Sequence, residues 1–274
     1  MARAGKVKIG IVGCGAIGSR MAESIQKDLN QVCRLTALYD IDTDKAERLA
    51  RILRRKGIVK GSIKELIKDC DCMIEAVSAK NTRTLIRQAL EAKRSVLSMS
   101  VGKLLNAPEL FTLARKNKSH LLLPSGAIAG LDAIKAASLV GIDRITLTTR
   151  KPLSGFSGNP YLIKNNVDLS KIMKETVLFE GGVSEAVRVF PKNINVAATL
   201  ALASQCRRKL KIRIITSPEY TTNVHEIELE GKFGRIKTQT DNVVCPDNPK
   251  TSYLAVLSGL QTLKQYCSGV FIGT

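Results

Sequence analysis

Hydrophobic residues in the first 124 positions follow two alternating spacings. Short β-branched runs predict strands, and the stretches between them repeat apolar residues every three or four positions, as amphipathic helices do. The predicted strands are residues 7–12, 35–39, 72–77, 95–99 and 120–124. The predicted helices are residues 16–29, 44–56, a short one capped at Ser62, 82–92 and 107–116. This alternation predicts a Rossmann-type doubly wound α/β domain, whose parallel sheet is covered on both faces.

The pattern changes after residue 124. Four segments alternate apolar and polar residues, which predicts half-buried antiparallel strands at 144–150, 211–216, 225–230 and 234–240. Helical spacing returns at 129–139, 184–189, 194–205 and 251–267. We therefore expect a second, α+β domain over residues 125–248. The first domain would comprise residues 1–124 together with a C-terminal helix within 249–274.

A glycine-rich turn separates the first predicted strand from the first predicted helix. The glycines are Gly13, Gly15 and Gly18, and Ala16 and Ile17 open the helix. In a dinucleotide-binding turn the first glycine permits the tight bend, the second lets the backbone approach the pyrophosphate, and the third lets helix and strand pack closely. The free N–H groups of the helix N-terminus attract phosphate. These five residues are therefore predicted to hold a dinucleotide.

An acidic residue completes this pattern. Asp40 ends the second predicted strand at the distance from the third glycine that the dinucleotide fingerprint requires. A carboxylate there hydrogen-bonds the adenosine ribose and repels a 2′-phosphate, which favours NAD. Lys45 and Arg48 lie a few positions further on, so the sequence leaves both NAD and NADP open as cofactors.

The chain is strongly basic, with 43 Lys and Arg against 24 Asp and Glu and a net charge of +19. Nucleic acid is one partner that such a charge attracts. However, the basic residues are spread along the chain, aromatics are only 4% and Trp is absent, so bases would find few stacking partners. A positive field that attracts anionic cofactors and acidic substrates fits equally well. We expect no nucleic-acid partner.

Apolar runs and cysteines set the expected location. No apolar run approaches the roughly 20 residues that span a bilayer, and the basic start leads into a strand pattern rather than a signal-peptide core. The seven cysteines are irregularly spaced. Cys70 and Cys72 lack the partners of a zinc site, so we expect buried free thiols, no metal and a cytoplasmic, membrane-independent protein.

Two histidines are the first candidates for acid–base chemistry. Hydride removal from a carbon that bears an amine or hydroxyl needs a group that accepts a proton near neutral pH. His120 begins a strand of the first domain and is predicted to lie at the surface, whereas His225 lies in the second domain. A lysine or tyrosine would serve as well, so composition leaves the base open.

Several second-half segments resemble those of the L-aspartate dehydrogenase family. The resemblance covers nearly the whole chain in order, and its specific motifs are an asparagine-rich segment and a late Asn-Pro-Lys-Thr-Ser segment. The segments are Gly126–Ala133, Thr149–Pro152, Leu178–Gly181, Phe190–Ala198 and Asn248–Ser252.

The resemblance implies a chemistry and a set of residues. It implies a second domain for substrate and dimer contacts, with oxidation of L-aspartate to iminosuccinate, then oxaloacetate and ammonia, feeding NAD biosynthesis. The family's catalytic histidine falls on His225, and its cofactor contacts in the second half fall on Ala129 and Asn195. The two carboxylates of such a dicarboxylic amino acid need cations. The candidates are Arg150, Lys151 and Lys192.

Some alternatives remain open at this point. Residues 151–174 are interpreted as a mobile insertion or lid. Another two-domain dehydrogenase, like dihydrodipicolinate reductase or homoserine dehydrogenase, would share the first domain. A non-catalytic NAD(H) sensor that binds nucleic acid through the +19 charge would share it too.

Overall fold

The computed structural model describes residues 5–77, 81–190, 195–245 and 248–273. The chain divides into two compact domains. The first comprises residues 1–124 and 256–272, and the second comprises residues 125–255 and 273–274.

The first domain is built on a parallel sheet of five strands in the order β2-β1-β3-β4-β5. The strands are β1 Val7–Val12, β2 Cys33–Tyr39, β3 Cys72–Glu75, β4 Ser95–Ser98 and β5 Leu121–Leu122. The helices between them are α1 Ala16–Lys27, α2 Thr43–Ile52, α3 Ile63–Asp69, α4 Thr82–Glu91 and α5 Pro108–Lys116. The predicted doubly wound α/β domain is confirmed.

The central strands of this sheet are buried along their whole length. Every residue of β3 and β4 is buried, because helices cover both faces of a parallel sheet. The predicted cap of α3 is also present. The Ser62 hydroxyl accepts the Glu65 N–H at 3.3 Å, and the Glu65 carboxylate accepts the Gly61 N–H at 3.2 Å. Two N–H groups at the start of the helix are thereby satisfied.

The second domain contains a mixed sheet in the order β10-β9-β6-β8-β7. Its strands are β6 Ile142–Pro152, β7 Thr176–Gly182, β8 Leu210–Ser217, β9 Asn223–Gly231 and β10 Gly234–Asn242, and a separate pair is β11 Val244–Cys245 with β12 Asn248–Ser252. The helices are α6 Leu131–Ser138, α7 Pro160–Lys164, α8 Val183–Val189 and α9 Asn195–Ser204. The C-terminal helix, α10 Tyr253–Ser268, begins in this domain and continues in the first.

Two features of this sheet differ from the prediction. The segment expected as an antiparallel strand at 211–216 runs parallel to its neighbour β6 and antiparallel only to β7. The long connection from β6 to β8 includes β7, and it brings the chain back so that β8 begins at the same end of the sheet as β6. Strand β7 was not predicted, because a bulge between Val177 and Phe179 interrupts its apolar–polar alternation.

The beginning of the segment after β6 is anchored rather than free. Phe156 and Leu162 are each only 2% exposed, and the Phe156 ring meets the Phe190 ring edge-on at 6.1 Å. The Asn159 side chain caps α7 and also donates to the Val189 carbonyl at 3.3 Å. These contacts hold residues 156–162 against their own domain, whereas residues 163–175 are mostly exposed. The interpretation of residues 151–174 as a mobile insertion or lid therefore stays a prediction.

The cysteines carry no crosslink. All seven are free, and Cys70 and Cys72 are both buried. Within the described ranges, no group of three potential metal ligands comes together. Nor does any helix in the described part of the chain combine the length and apolar character needed to cross a membrane.

Candidate functional site

The glycine turn between β1 and α1 has the geometry of a dinucleotide cradle. Gly13 has φ +98°, and a Cβ there would lie 2.6 Å from the Ala76 carbonyl oxygen. A Cβ on Gly18 would lie 1.8 Å from the Gly13 carbonyl oxygen. By contrast, a Cβ on Gly15 would meet no atom of the described residues within 4 Å. Two glycines are therefore required by the fold, and the third leaves open space in front of the helix N-terminus, where a pyrophosphate fits.

Asp40 lies beside this turn, at the end of β2. Its carboxylate accepts the Cys14 N–H at 2.7 Å and the Asp42 N–H at 3.0 Å. Each oxygen keeps a lone pair for a ribose hydroxyl. Burial is the main reason that the pKa of the Cys14 thiol rises to about 12, and the negative charge of Asp40 is the second reason. The turn therefore carries a protonated thiol. Lys45, a candidate for a 2′-phosphate, is paired with Asp42 at 3.2 Å.

Strands β6 and β9 bring His225 and Lys151 to one face of the second sheet. Thr149 lies directly opposite His225 in the antiparallel register, and Lys151 follows two residues later on the same face. The Thr149 hydroxyl and His225 Nδ1 are 3.0 Å apart. His225 is 3% exposed and Lys151 9%. An imidazole and an ammonium group therefore share a buried location.

Burial changes the protonation of both groups. Desolvation is the main reason that the pKa of His225 falls to about 3, and the positive charge of Lys151 is the second reason. Desolvation lowers the pKa of Lys151 to about 8. Near neutral pH the imidazole is therefore uncharged, while the lysine is largely charged. A buried cation with a lowered pKa favours an anionic ligand, because the ligand's charge offsets the cost of desolvation.

The three candidate cations are not equivalent. Arg150 lies between Thr149 and Lys151 and therefore points to the opposite face of the sheet, since side chains alternate along a strand. It is paired there with Glu226 at 3.8 Å and with Glu175 at 3.9 Å. Arg150 therefore lies on the face opposite His225, and its role as a substrate ligand stays a prediction. Lys192 lies outside the described residues.

The loop that carries Ala129 is hydrogen-bonded to β10, the strand next to β9. Thr240 of β10 lies opposite His225 and donates its hydroxyl to the Ala127 carbonyl at 2.7 Å. Thr238 donates likewise to the Ala129 carbonyl at 3.4 Å. The same loop approaches the start of α9, because a Cβ on Gly126 would lie 3.9 Å from Val196, the residue after Asn195. The loop that carries Ala129 thus contacts β10 and lies close to the start of α9.

The structure also places polar residues here that sequence reasoning missed. Asn223 and Asn242 are opposite each other, 6% and 3% exposed, and Asn223 donates to the Ser252 hydroxyl at 3.3 Å. The sequence did contain a signal for these residues, because each is a polar residue on the more buried face of an alternating strand. In the first domain Glu75, the last residue of β3, is completely buried and was not singled out.

The fold and these two sites define a class of protein. A doubly wound domain with a dinucleotide turn, followed by a second α/β domain with a buried histidine and lysine, is the arrangement of a dehydrogenase that uses NAD or NADP.

Comparisons with known proteins name the family. A model described as "Homoserine dehydrogenase, NAD binding domain" matches residues 13–124, and one described as "Aspartate dehydrogenase, C-terminal" matches residues 132–266. The L-aspartate dehydrogenase of Methanosarcina barkeri (strain Fusaro / DSM 804) is 45% identical, over 98% of this chain and 100% of its own. That of Methanocella arvoryzae is 41% identical, over 97% and 99%. The chain belongs to the L-aspartate dehydrogenase family, as its motifs predicted.

A solved structure shows the same fold. The crystal structure of aspartate dehydrogenase from Thermotoga maritima matches with a TM-score of 0.70 at 23% identity, over 98% of this chain and 100% of that one. At this identity the likeness supports the architecture of both domains.

The open space at Gly15 gives a direct prediction. Gly15→Ala should fold normally, because φ is −77° and the added methyl group meets no atom in the part of the chain that the structure describes. It should weaken NADH binding by at least about tenfold, because the methyl group occupies the path of the pyrophosphate. Nicotinamide fluorescence titration measures the affinity, and thermal unfolding checks the fold.

Gly182→Ala is the matched control. Gly182 also precedes a helix, has φ −79° and has open space at its Cβ position. NADH affinity should be unchanged in this variant. Equal affinities for Gly15→Ala and Gly182→Ala would contradict the assignment of the cradle.

Proposed function

We propose that this protein oxidises L-aspartate to iminosuccinate with NAD or NADP, and that hydrolysis then gives oxaloacetate and ammonia. The observation that carries the proposal is the buried pair of Lys151 and His225, in a domain that matches the aspartate dehydrogenase model. A dicarboxylic amino acid has both an anionic group for the lysine and an amine whose oxidation releases a proton.

Lys151 is proposed to bind one substrate carboxylate. It is 9% exposed, and its backbone carbonyl accepts the Thr216 hydroxyl at 2.9 Å, which fixes this end of β6. A charge in such a location interacts more strongly with an anion than it would in water. Lys192 stays a prediction for the second carboxylate.

His225 is proposed as the proton acceptor. Its neutral form is the form a base requires, and the Thr149 hydroxyl holds Nδ1 at 3.0 Å. A bound dicarboxylate would offset the Lys151 charge, which raises the pKa of His225 from its value in the free protein. His225 would take a proton from the substrate ammonium group or from the water that attacks the imine carbon.

The bound dinucleotide would supply the chemistry that the side chains lack, as the acceptor of the Cα hydride. We propose that Gly13, Gly15, Ala16, Ile17 and Gly18 hold its pyrophosphate and that Asp40 binds the adenosine ribose. Ala129 and Asn195 are proposed as further contacts that hold the reacting carbons at attack distance. The Thr238 bond to Ala129 supports a fixed position for this loop.

The wider setting is proposed from family membership and composition. We propose a homodimer that acts in the cytoplasm without nucleic-acid or membrane partners, and whose product enters NAD biosynthesis. Seven free cysteines are typical of a reducing compartment.

An activity screen tests the proposed reaction. L-aspartate should reduce NAD or NADP, with absorbance of the reduced nicotinamide as the measurement, while homoserine and other amino acids should give little. Homoserine is included because the model matching the first domain is named for homoserine dehydrogenase. Turnover of homoserine without turnover of aspartate would refute the proposal.

Replacement of the base gives a second test. His225→Ala should lower kcat by roughly 10²–10⁴-fold, the usual effect of removing a general acid–base group, with NADH affinity retained. His120→Ala is the control, since the other histidine is exposed in the first domain and should leave kcat unchanged. Near-normal turnover of His225→Ala would move the role to another residue.

Protonation of Lys151 should control the binding of dicarboxylates. Succinate is a dicarboxylate without an amine, and it should be an effective inhibitor when the pH is below 8. Its inhibition constant should rise up to about tenfold per pH unit above pH 8, because the pKa of Lys151 is about 8 and the neutral amine no longer attracts it.

Two variants separate this effect from other titrations. Lys151→Arg stays charged and should bind succinate with no change between pH 7 and 10, whereas Lys151→Met should bind weakly throughout. A flat wild-type profile over this range would count against Lys151 as the carboxylate ligand.

A further inference from the structure

A buried carboxyl group lies beside the glycine turn, in the first domain. Glu75 ends β3 with 0% of its surface exposed. In the described part of the chain its carboxyl oxygens contact two serine hydroxyls and two backbone amides. Ser98 Oγ lies 2.6 Å from Oε2, Ser100 Oγ lies 2.9 Å from Oε1, the Val77 N–H donates to Oε1 at 3.1 Å, and the Ser100 N–H donates to Oε2 at 3.3 Å.

The balance of donors and acceptors in this cluster indicates the protonation state of Glu75. Ser100 Oγ lies 2.7 Å from the Val77 carbonyl and 2.9 Å from Glu75 Oε1. A hydroxyl group has one proton, and a carbonyl oxygen can only accept. If the Ser100 proton goes to Val77, the second contact is a hydrogen bond only when Glu75 Oε1 carries a proton and donates it to Ser100. Burial acts in the same direction, since it raises the pKa of Glu75.

The cluster holds the backbone on which the glycine turn packs. The Ala76 N–H donates to the Val12 carbonyl at 2.9 Å. A Cβ on Gly13 would lie 2.6 Å from the Ala76 carbonyl oxygen and 2.7 Å from Val77 Cγ1. Glu75 therefore fixes the two residues that form one wall of the turn, on both the amide side and the carbonyl side of Val77.

We propose that Glu75 is a neutral carboxylic acid at physiological pH and a positioning residue for the dinucleotide. Glu75 donates to Ser100, and Ser100 donates to the Val77 carbonyl. This chain holds Ala76 and Val77 against Gly13, so that the N–H groups of the turn keep the spacing that the pyrophosphate needs. A small shift of this wall moves the turn and weakens cofactor binding.

Infrared spectroscopy tests the protonation state. Nearly all the exposed carboxyl groups are ionised at pH 7, so a buried protonated carboxyl gives a separate carbonyl stretch in ¹³C-glutamate-labelled protein. We expect this band in the wild type at pH 7 and its loss in Glu75→Gln, a neutral variant of the same shape. Identical spectra for the two proteins would show an ionised Glu75 and overturn the proposal.

Cofactor affinity tests the positioning role. Ser100→Ala removes the link to the Val77 carbonyl and should weaken NADH binding about tenfold. The KM for aspartate should change less than twofold in this variant. NADH fluorescence is independent of turnover, so the result stands apart from the assignment of the substrate.

Thr36→Val is the matched control. The Thr36 hydroxyl also bonds backbone carbonyls in this domain, those of Asp69 at 2.8 Å and Ile9 at 3.2 Å, away from the glycine turn. It should lower the melting temperature about as much as Ser100→Ala without changing NADH affinity. The positioning role would be overturned if Ser100→Ala left NADH affinity unchanged, or if Thr36→Val weakened it as much as Ser100→Ala.

Discussion

Side chains of a β-strand alternate between the two faces of the sheet, and the chemistry of the second domain depends on this geometry. On β6, Thr149 and Lys151 lie on one face and Arg150 on the other. The antiparallel register with β9 places His225 on the first face and Glu226 on the second. One face therefore carries a buried imidazole and a buried lysine, and the other carries the ion pair of Arg150 with Glu226.

Burial gives the first of these faces its reactivity. A charged lysine removed from water destabilises the folded protein, and a pKa of about 8 for Lys151 reflects that cost. An anionic substrate would offset the cost at the place where it binds. The same desolvation keeps His225 uncharged in the free protein. The negative charge of a bound dicarboxylate would raise the pKa of His225 towards the range in which it accepts a proton.

The first domain uses buried polar groups for a different purpose. At the carboxyl end of β3 and β4, Glu75, Ser98 and Ser100 form a hydrogen-bonded cluster that includes the backbone of Val77. Buried polar clusters of this kind fix a single backbone geometry, because an alternative arrangement would leave a polar group unpaired. The cluster lies beside a turn in which a Cβ on Gly13 would come within 3 Å of Ala76 and Val77, so we propose that this rigidity preserves the cofactor site.

The sequence by itself determined the first domain, the cofactor class and the family. Its strand–helix alternation and the glycine turn depend on residues that are close together in the chain, so the sequence alone is enough to predict them. It also predicted His225, Lys151 and Asp40 as candidates, from motifs and from the chemistry that each residue type allows.

Only the tertiary structure decided which candidates lie together. Consecutive residues such as Arg150 and Lys151 look alike in sequence, yet strand register puts them on opposite faces. The parallel pairing of β6 with β8 depends on a connection too long for any local pattern to specify. The Glu75 cluster joins residues from two strands, and its protonation depends on burial, which is a property of the packed domain rather than of the chain.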